Sequence, residues 1–350
     1  MKRSQKFLLS LIILGGIIYF IVQTTIKAGV FNSITDMGDY RLNSLPSMPG
    51  VEDITIDQQT NIAYLSAHDR RNPKSTGAIF TLNLNDSTKT LINLTDRFKI
   101  REFRPHGISL LSIKDKKFLF VISHKDNKND ILKFQILGDS LSYLSKYSST
   151  DFVSPNDILA VAENQFFVTN DHSNRSKWKV MFSDFLRIPT GNVVFYDGKI
   201  SKIVSEKITY PNGIALSDDG SKIYVASTLE KAIHVFEPQT QTNLLKSVDY
   251  FSTTYAPDNI EINKNGNMIV GCHPKLFAFM AHKKDAKKIS PSAIIEINKD
   301  NFEIQNTLYL NDGQQISGSS VGAPFYSKNG KQNLLIGGVF DPKVILLEKK

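Results

Sequence analysis

Glu52-Asp53, His106-Gly107, Asn156-Asp157, Asn212-Gly213, Asp258-Asn259 and Ser319-Ser320 are six polar or small pairs, each followed at once by a β-branched residue. Their donors are almost all oxygens: carboxylates at Glu52, Asp53, Asp157 and Asp258, amides at Asn156, Asn212 and Asn259. If the fold gathers them, four carboxylates in one buried place require a cation, because an unpaired buried charge is costly. Hard oxygen donors select calcium over zinc, and a flexible ligand number selects it over magnesium. Histidine supplies the other half of the chemistry. His106 opens one of the segments, while His68, His124, His172 and His273 each close a short apolar run; only His234 and His282 fall elsewhere. Imidazole titrates near neutrality and is the usual side chain for moving a proton at physiological pH. A cation that polarises an oxygen and an imidazole that accepts a proton are together equipment for hydrolysis.

The spacing of the six pairs says which elements position them. The β-branched residues that follow (Ile54, Ile108, Ile158, Ile214, Ile260 and Val321) are 54, 50, 56, 46 and 61 positions apart. Pro105, Pro155, Pro211, Pro257 and Gly318 precede five of the pairs, and turn residues such as Asp218-Asp219-Gly220 recur every ten or so positions. A repeat of about 50 residues made of short strands is the signature of propeller blades of four strands each. Six units predict an all-β, six-bladed β-propeller over residues 36–350. The sixth unit has room for three strands, so residues 39–45 are expected to supply its fourth and close the ring. The first strand of each blade lies beside the axis, which brings the six pairs to one mouth of the central tunnel. The second strand returns antiparallel and carries the histidines to the same face. Because neighbouring residues on a strand point to opposite sides, Glu52 and Asp53, or Asn156 and Asp157, can serve two ions at two depths. The missing side chain of Gly107 is read as room for substrate beside His106. Gly318-Ser319-Ser320-Val321-Gly322 imitates a serine-hydrolase elbow, but that motif needs a following helix, and Pro324 argues against one. A calcium-stabilised binding scaffold is the non-enzymatic alternative. It needs the inner Asp53 and Asp157 but neither the outer donors nor the histidines.

Residues 7–22 are an apolar run interrupted only by Ser10 and preceded by Lys2, Arg3 and Lys6. No small-x-small cleavage site follows, so residues 1–28 are read as an uncleaved signal anchor with the propeller outside the cytoplasm; a cleaved signal and secretion are the alternative. The formal charge of +8 is scattered, without a basic stripe, and nucleic acid is not an expected partner. The single cysteine, Cys272, excludes an intrachain disulfide. Trp178, Met181, Phe182, Phe185 and Leu186 follow helical spacing. The segment 178–186 is expected to be a short lid helix that also touches membrane. Asn85, Asn93 and Asn174 lie in glycosylation triplets, which matter only in a host that glycosylates exported proteins.

The ordered set Glu52-Asp53, Pro105-His106-Gly107-Ile108-Ser109, Asn156-Asp157-Ile158, Thr169-Asn170-Asp171-His172, Asn212-Gly213-Ile214, Asp258-Asn259-Ile260 and Gly271-Cys272-His273-Pro274 resembles the paraoxonase/arylesterase family of calcium-dependent hydrolases. The resemblance implies hydrolysis of carboxylic esters and lactones, with phosphotriesters as a promiscuous substrate. It implies a catalytic calcium held by Glu52, Asn156, Asn212, Asp258 and Asn259. A second, structural calcium would take Asp53, Asp157 and the backbone carbonyl of Ile108. His106 with His124 behind it would be the histidine dyad, and His273, His172 and the segment 70–74 would line the substrate pocket. The chain departs from the animal members in lacking the cysteine pair that staples the ring. Its loop His68-Asp69-Arg70-Arg71-Asn72-Pro73 also differs, so substrate range does not carry over. Gluconolactonase and strictosidine-synthase propellers share the architecture but fit Glu52-Asp53 and the two histidines less well.

Overall fold

A computed structural model describes residues 3–72, 74–98, 102–125, 128–239 and 242–350. Lys2 and Pro73, named above, lie outside these residues. Among the described residues, 24 strands form six four-stranded antiparallel sheets arranged as propeller blades. The first five blades run in simple chain order, with inner strands Val51–Asp57, Pro105–Ile113, Pro155–Ala162, Pro211–Leu216 and Ala256–Ile262. The sixth consists of Ser319–Tyr326, Gln332–Gly338 and Ile345–Lys349, and its outer strand is Tyr40–Ser44 from the other end of the chain. Tyr40 pairs with Lys349 and Ser44 with Ile345, so the ring closes as the sequence predicts.

The core lies between blades rather than at a single centre. One cluster packs Phe118, Phe120 and Ile122 of the second blade against Phe166, Val168 and Val194 of the third. Another packs Ile54 and Leu65 of the first against Val321 and Leu335 of the sixth, across the seam. Strands buried on both faces need apolar residues at successive positions, which is why Ile223–Ser227 and Met268–His273 read as continuous runs.

Every inner strand departs from regular pairing at the polar pair it carries. The register shifts between Val51 and Asp53, Pro105 and Ile108, Pro155 and Ile158, Pro211 and Ile214, Pro257 and Ile260, and Ser319 and Val321. Such bulges free backbone groups from the ladder and re-aim side chains. The glycines at these points serve blade packing. A Cβ on Gly107 would meet the carbonyl oxygen of Asn156 and Cα of Asp157, both at 2.6 Å; one on Gly213 would meet the carbonyl oxygen of Asp258 at 2.5 Å. This corrects the reading of Gly107: the space beside it holds the neighbouring inner strand, not substrate.

Among the described residues, three helices complete the fold: α1 (Arg3–Lys27), α2 (Lys177–Leu186) and α3 (Leu276–Lys284). α1 is long and apolar enough to cross a membrane by length and composition. α2 is the expected short helix, and its apolar stripe is not core, with Trp178 64% and Met181 69% exposed. α3 has no counterpart in the sequence reading. The end of α1 meets α2 through Phe20 and Phe185, whose rings lie 5.4 Å apart. It meets α3 through the Leu276 amide, which donates to the Ala28 carbonyl at 2.9 Å.

Candidate functional site

The six bulged pairs line the mouth of the tunnel, and their hydrogen bonds sort them into two roles. Asp53 accepts from the amide of Ile54 at 2.8 Å and from that of Ile108, on the next blade, at 2.7 Å. Asp157 repeats this with Ile158 at 2.7 Å and Ile214 at 2.8 Å. Each carboxylate thus bridges two blades with amides released by the bulges. Burial, then the neighbouring Glu52 carboxylate, pushes the Asp53 carboxyl up to about 8. Burial, then Asp53, pushes Asp157 well above the usual range. Two buried acids so placed would ionise together only against a compensating positive charge.

Glu52, Asn156, Asn212, Asp258 and Asn259 form the second group, all buried. Asn259 donates from Nδ2 to the carbonyl oxygen of Glu52 at 2.9 Å and to its Oε1 at 3.2 Å. Thr228 donates to the Pro257 carbonyl at 2.7 Å, so its hydroxyl oxygen accepts from Asn212 Nδ2 at 3.2 Å. Both amides therefore turn their nitrogens to protein partners. The oxygens left over, Asn156 Oδ1, Asn212 Oδ1 and Asn259 Oδ1, are buried without a hydrogen-bond partner, as is Glu52 Oε2. Orphaned buried acceptors are rare, and four in one ring, all oxygens and none a donor, fit a hard cation. Glu52 stays ionised. Burial works to raise its carboxyl, but His106 when protonated, by charge and hydrogen bond, then the charge of Arg70 and a hydrogen bond from Asn259 hold it at about 2.

The histidines fall into distinct settings. His106 Nδ1 and His124 Nε2 are 2.6 Å apart, and His106 Nε2 is 3.4 Å from Glu52 Oε1. Behind them, His124 Nδ1 lies 2.8 Å from Asn129 Oδ1. Burial, then the charge of His106, pushes the His124 imidazole down to about 3, so it stays neutral. His273 Nε2 is 2.8 Å from Asp258 Oδ2, and its ring stacks on Phe279 of α3 with centroids 3.8 Å apart. His172 is clamped at both nitrogens, 2.9 Å from Asp171 and 2.7 Å from Asp184 of α2. It therefore couples α2 to the end of the third blade's second strand. His68 is bound to Ser75 Oγ at 3.0 Å. Ser319 and Ser320, the imitation elbow, are fully buried on a strand, and Ser320 donates to the Glu52 carbonyl at 2.6 Å.

Several residues take roles that sequence reasoning does not give them: Arg70 and Arg71 are expected only within the pocket-lining segment 70–74. Arg70 turns inward, donating to the carbonyls of Gly50, His68 and Pro105, with Nη2 3.9 Å from Glu52 Oε2. Arg71 crosses to the carbonyls of Phe340 and His282 at 2.7 and 2.6 Å, tying the loop to α3. Asn129 could have been found from the hairpin, where it is the cross-strand partner of His124; Arg70 and Phe279 left no such signal.

A closed ring of six blades with an oxygen-lined mouth and an imidazole pair beside it defines a propeller hydrolase. The chain belongs to the arylesterase family, whose profile matches residues 26–346. Serum paraoxonase/arylesterase 2 of Bos taurus is 33% identical over 279 residues, spanning 77% of this chain and 76% of the relative. Serum paraoxonase/arylesterase 1 of Homo sapiens is 31% identical over 290 residues at the same coverage. Among solved structures, a gluconolactonase from Xanthomonas campestris shares the fold, with a TM-score of 0.57 over 91% of this chain and 94% of that one. At 14% identity the likeness is one of architecture alone.

Proposed function

We propose that this protein hydrolyses carboxylic esters and lactones, with phosphotriesters as a promiscuous substrate, in a calcium-dependent reaction at the tunnel mouth. The observation that carries the reading is the ring of four orphaned oxygens, Glu52 Oε2 and the Oδ1 atoms of Asn156, Asn212 and Asn259, beside the His106–His124 pair. Glu52, Asn156, Asn212, Asp258 and Asn259 would hold a catalytic ion. Asp53, Asp157 and the Ile108 carbonyl would hold a structural one. When bound, calcium supplies stabilisation for the negative charge that develops on the scissile carbonyl or phosphoryl oxygen. His106 Nε2 takes a proton from water as the water oxygen forms its bond to the carbonyl carbon, and returns it to the leaving oxygen as the ester bond breaks. His124 holds the His106 ring in place. His273, turned by Asp258 and stacked on Phe279, and His172 border the space for substrate.

A membrane setting is supported by α1 and by the exposed apolar side chains of α2 next to it. Basic residues ahead of α1 favour the cytoplasm for its start, with the propeller outside. Residues 1–28 would then be the anchor and 36–350 the hydrolase. The test is turnover of phenyl acetate and of a simple unactivated lactone before and after exhaustive chelation. Activity should vanish and return with calcium. Hydrolysis that survives chelation would overturn the calcium reading, and calcium binding without turnover would favour the scaffold.

A further inference from the structure

With both rings neutral, the donors and acceptors behind His106 allow one arrangement of protons. Asn129 is buried, and its Nδ2 lies 3.1 Å from the carbonyl oxygen of Phe152 and 3.0 Å from that of Val153. Carbonyl oxygens only accept, so the amide nitrogen must face them and Oδ1 must face His124. The group 2.8 Å from that Oδ1 is His124 Nδ1, which must carry a proton. In a neutral imidazole the other nitrogen is then an acceptor. His124 Nε2 can therefore accept only from His106 Nδ1, 2.6 Å away. In the neutral ring His106 Nδ1 carries the proton, and Nε2, 3.4 Å from Glu52 Oε1, is the nitrogen free to take one up. The mirror arrangement would leave His124 Nδ1 and Asn129 Oδ1 as two acceptors in contact.

We infer that Asn129 is a positioning residue that locks the tautomers of His124 and His106, leaving Nε2 of His106 as the bare nitrogen at the tunnel mouth. This rests on His106 being the base, yet the lock can be read without turnover. A purely packing role makes a different demand on Asn129, because packing uses its donor side, the bonds to Phe152 and Val153, whereas the lock uses its acceptor side. Asn129→Asp keeps an oxygen toward His124 and loses the two donated bonds. Asn129→Leu removes the acceptor with little change in bulk.

The experiment combines kinetics with nitrogen NMR on the full chain in detergent micelles, labelled with 15N-histidine. Signals are identified through His106→Gln and His124→Gln, and spectra are taken at pH 9, where free imidazole is neutral. In the wild type both Nδ1 atoms should be protonated and both Nε2 atoms bare. In Asn129→Leu the two tautomers should mix, and kcat for an unactivated lactone should fall in proportion to the competent tautomer lost, roughly tenfold where a tenth remains, with KM little changed. Asn129→Asp should recover most of that loss despite a lower Tm. Wild-type spectra with Nε2 protonated on either ring would overturn the lock, as would unchanged tautomers in Asn129→Leu. Equal losses in the two variants would point to packing instead. If Asn129→Leu does not fold, the wild-type spectra and the Asp variant still decide. Should His106→Gln keep its lactone turnover, the base role fails while the spectra continue to judge the lock.

Discussion

His106 is the side chain on which the proposed chemistry depends most directly, being within reach of both Glu52 and His124. His106→Gln should leave folding and calcium affinity intact and lower kcat on a poorly activated lactone by roughly 10²–10⁴-fold. Near-wild-type turnover of that lactone would remove the base and leave only carbonyl polarisation. The two groups of oxygen donors make separate demands. Asn259→Ala deletes an orphaned oxygen and the two bonds to Glu52, so calcium binding and turnover should weaken in a folded protein. Asp157→Ala strands the amides of Ile158 and Ile214, at about 1–3 kcal/mol each for a buried unpaired group, and should lower Tm. If both variants melt alike and activity follows melting, the division into two sites is wrong. That these carboxylates and amides would gather at one mouth was legible in the sequence, because each pair recurs at the start of a repeat of about 50 residues. Arg70 was expected only within the pocket-lining segment 70–74, since its place beside Glu52 depends on the carbonyls of Gly50 and Pro105 from two other segments. Gly107 was misread because close approach of a neighbouring blade leaves no mark in the sequence around it.

Helix α2 shows how an element can report on the strand end to which it is clamped. Burial works to lower the His172 imidazole, but hydrogen bonds and charge from Asp171 and Asp184 outweigh it and raise it to about 9. A folded value above the ordinary 6.5 means that the stabilisation is complete below about pH 6.5 and is lost as pH rises through about 9. Between those limits α2 should come loose from the third blade while the blades stay folded. Trp178, the only tryptophan, stands on α2 and can be followed alone by fluorescence anisotropy. Its anisotropy should fall across that window, and Asp184→Asn should give the loosened value throughout. A flat wild-type profile would show that the clamp does not hold the helix. α2 was visible in advance because its apolar residues form a stripe. α3 was not, because its apolar residues do not segregate to one face and only His282 is buried. The blades were legible from the spacing of Ile54, Ile108, Ile158, Ile214, Ile260 and Val321. The bulges were not, because a bulge is a property of the pairing between strands rather than of either strand.

The ring as a whole has six seams between blades, and its sixth blade is itself built from strands of opposite ends of the chain. The sole cysteine, Cys272, is free and buried, so nothing covalent closes it. Tyr40–Ser44 is mostly exposed and adds chiefly hydrogen bonds to Ile345–Lys349. The packing of Ile54 and Leu65 on Val321 and Leu335 carries the burial between the sixth and first blades. At the axis, Asp53 and Asp157 each bridge two blades and resist ionisation without a cation. Removing calcium should therefore push the blades apart from the centre, and the weakest edge should yield first. Arg41 and Glu348 face each other where the two chain ends pair in the sixth blade, with little burial to lose, so Arg41→Cys with Glu348→Cys offers a staple there. It would close a loop of most of the chain, for which about 3–5 kcal/mol is the expected upper range. Oxidised, this variant should melt above its reduced form, and chelation should lower its Tm by less. An equal drop on chelation in both forms would show that the calcium-free ring opens somewhere other than where the chain ends pair, and would move the role of Asp53 and Asp157 from ring closure to the blades they bridge.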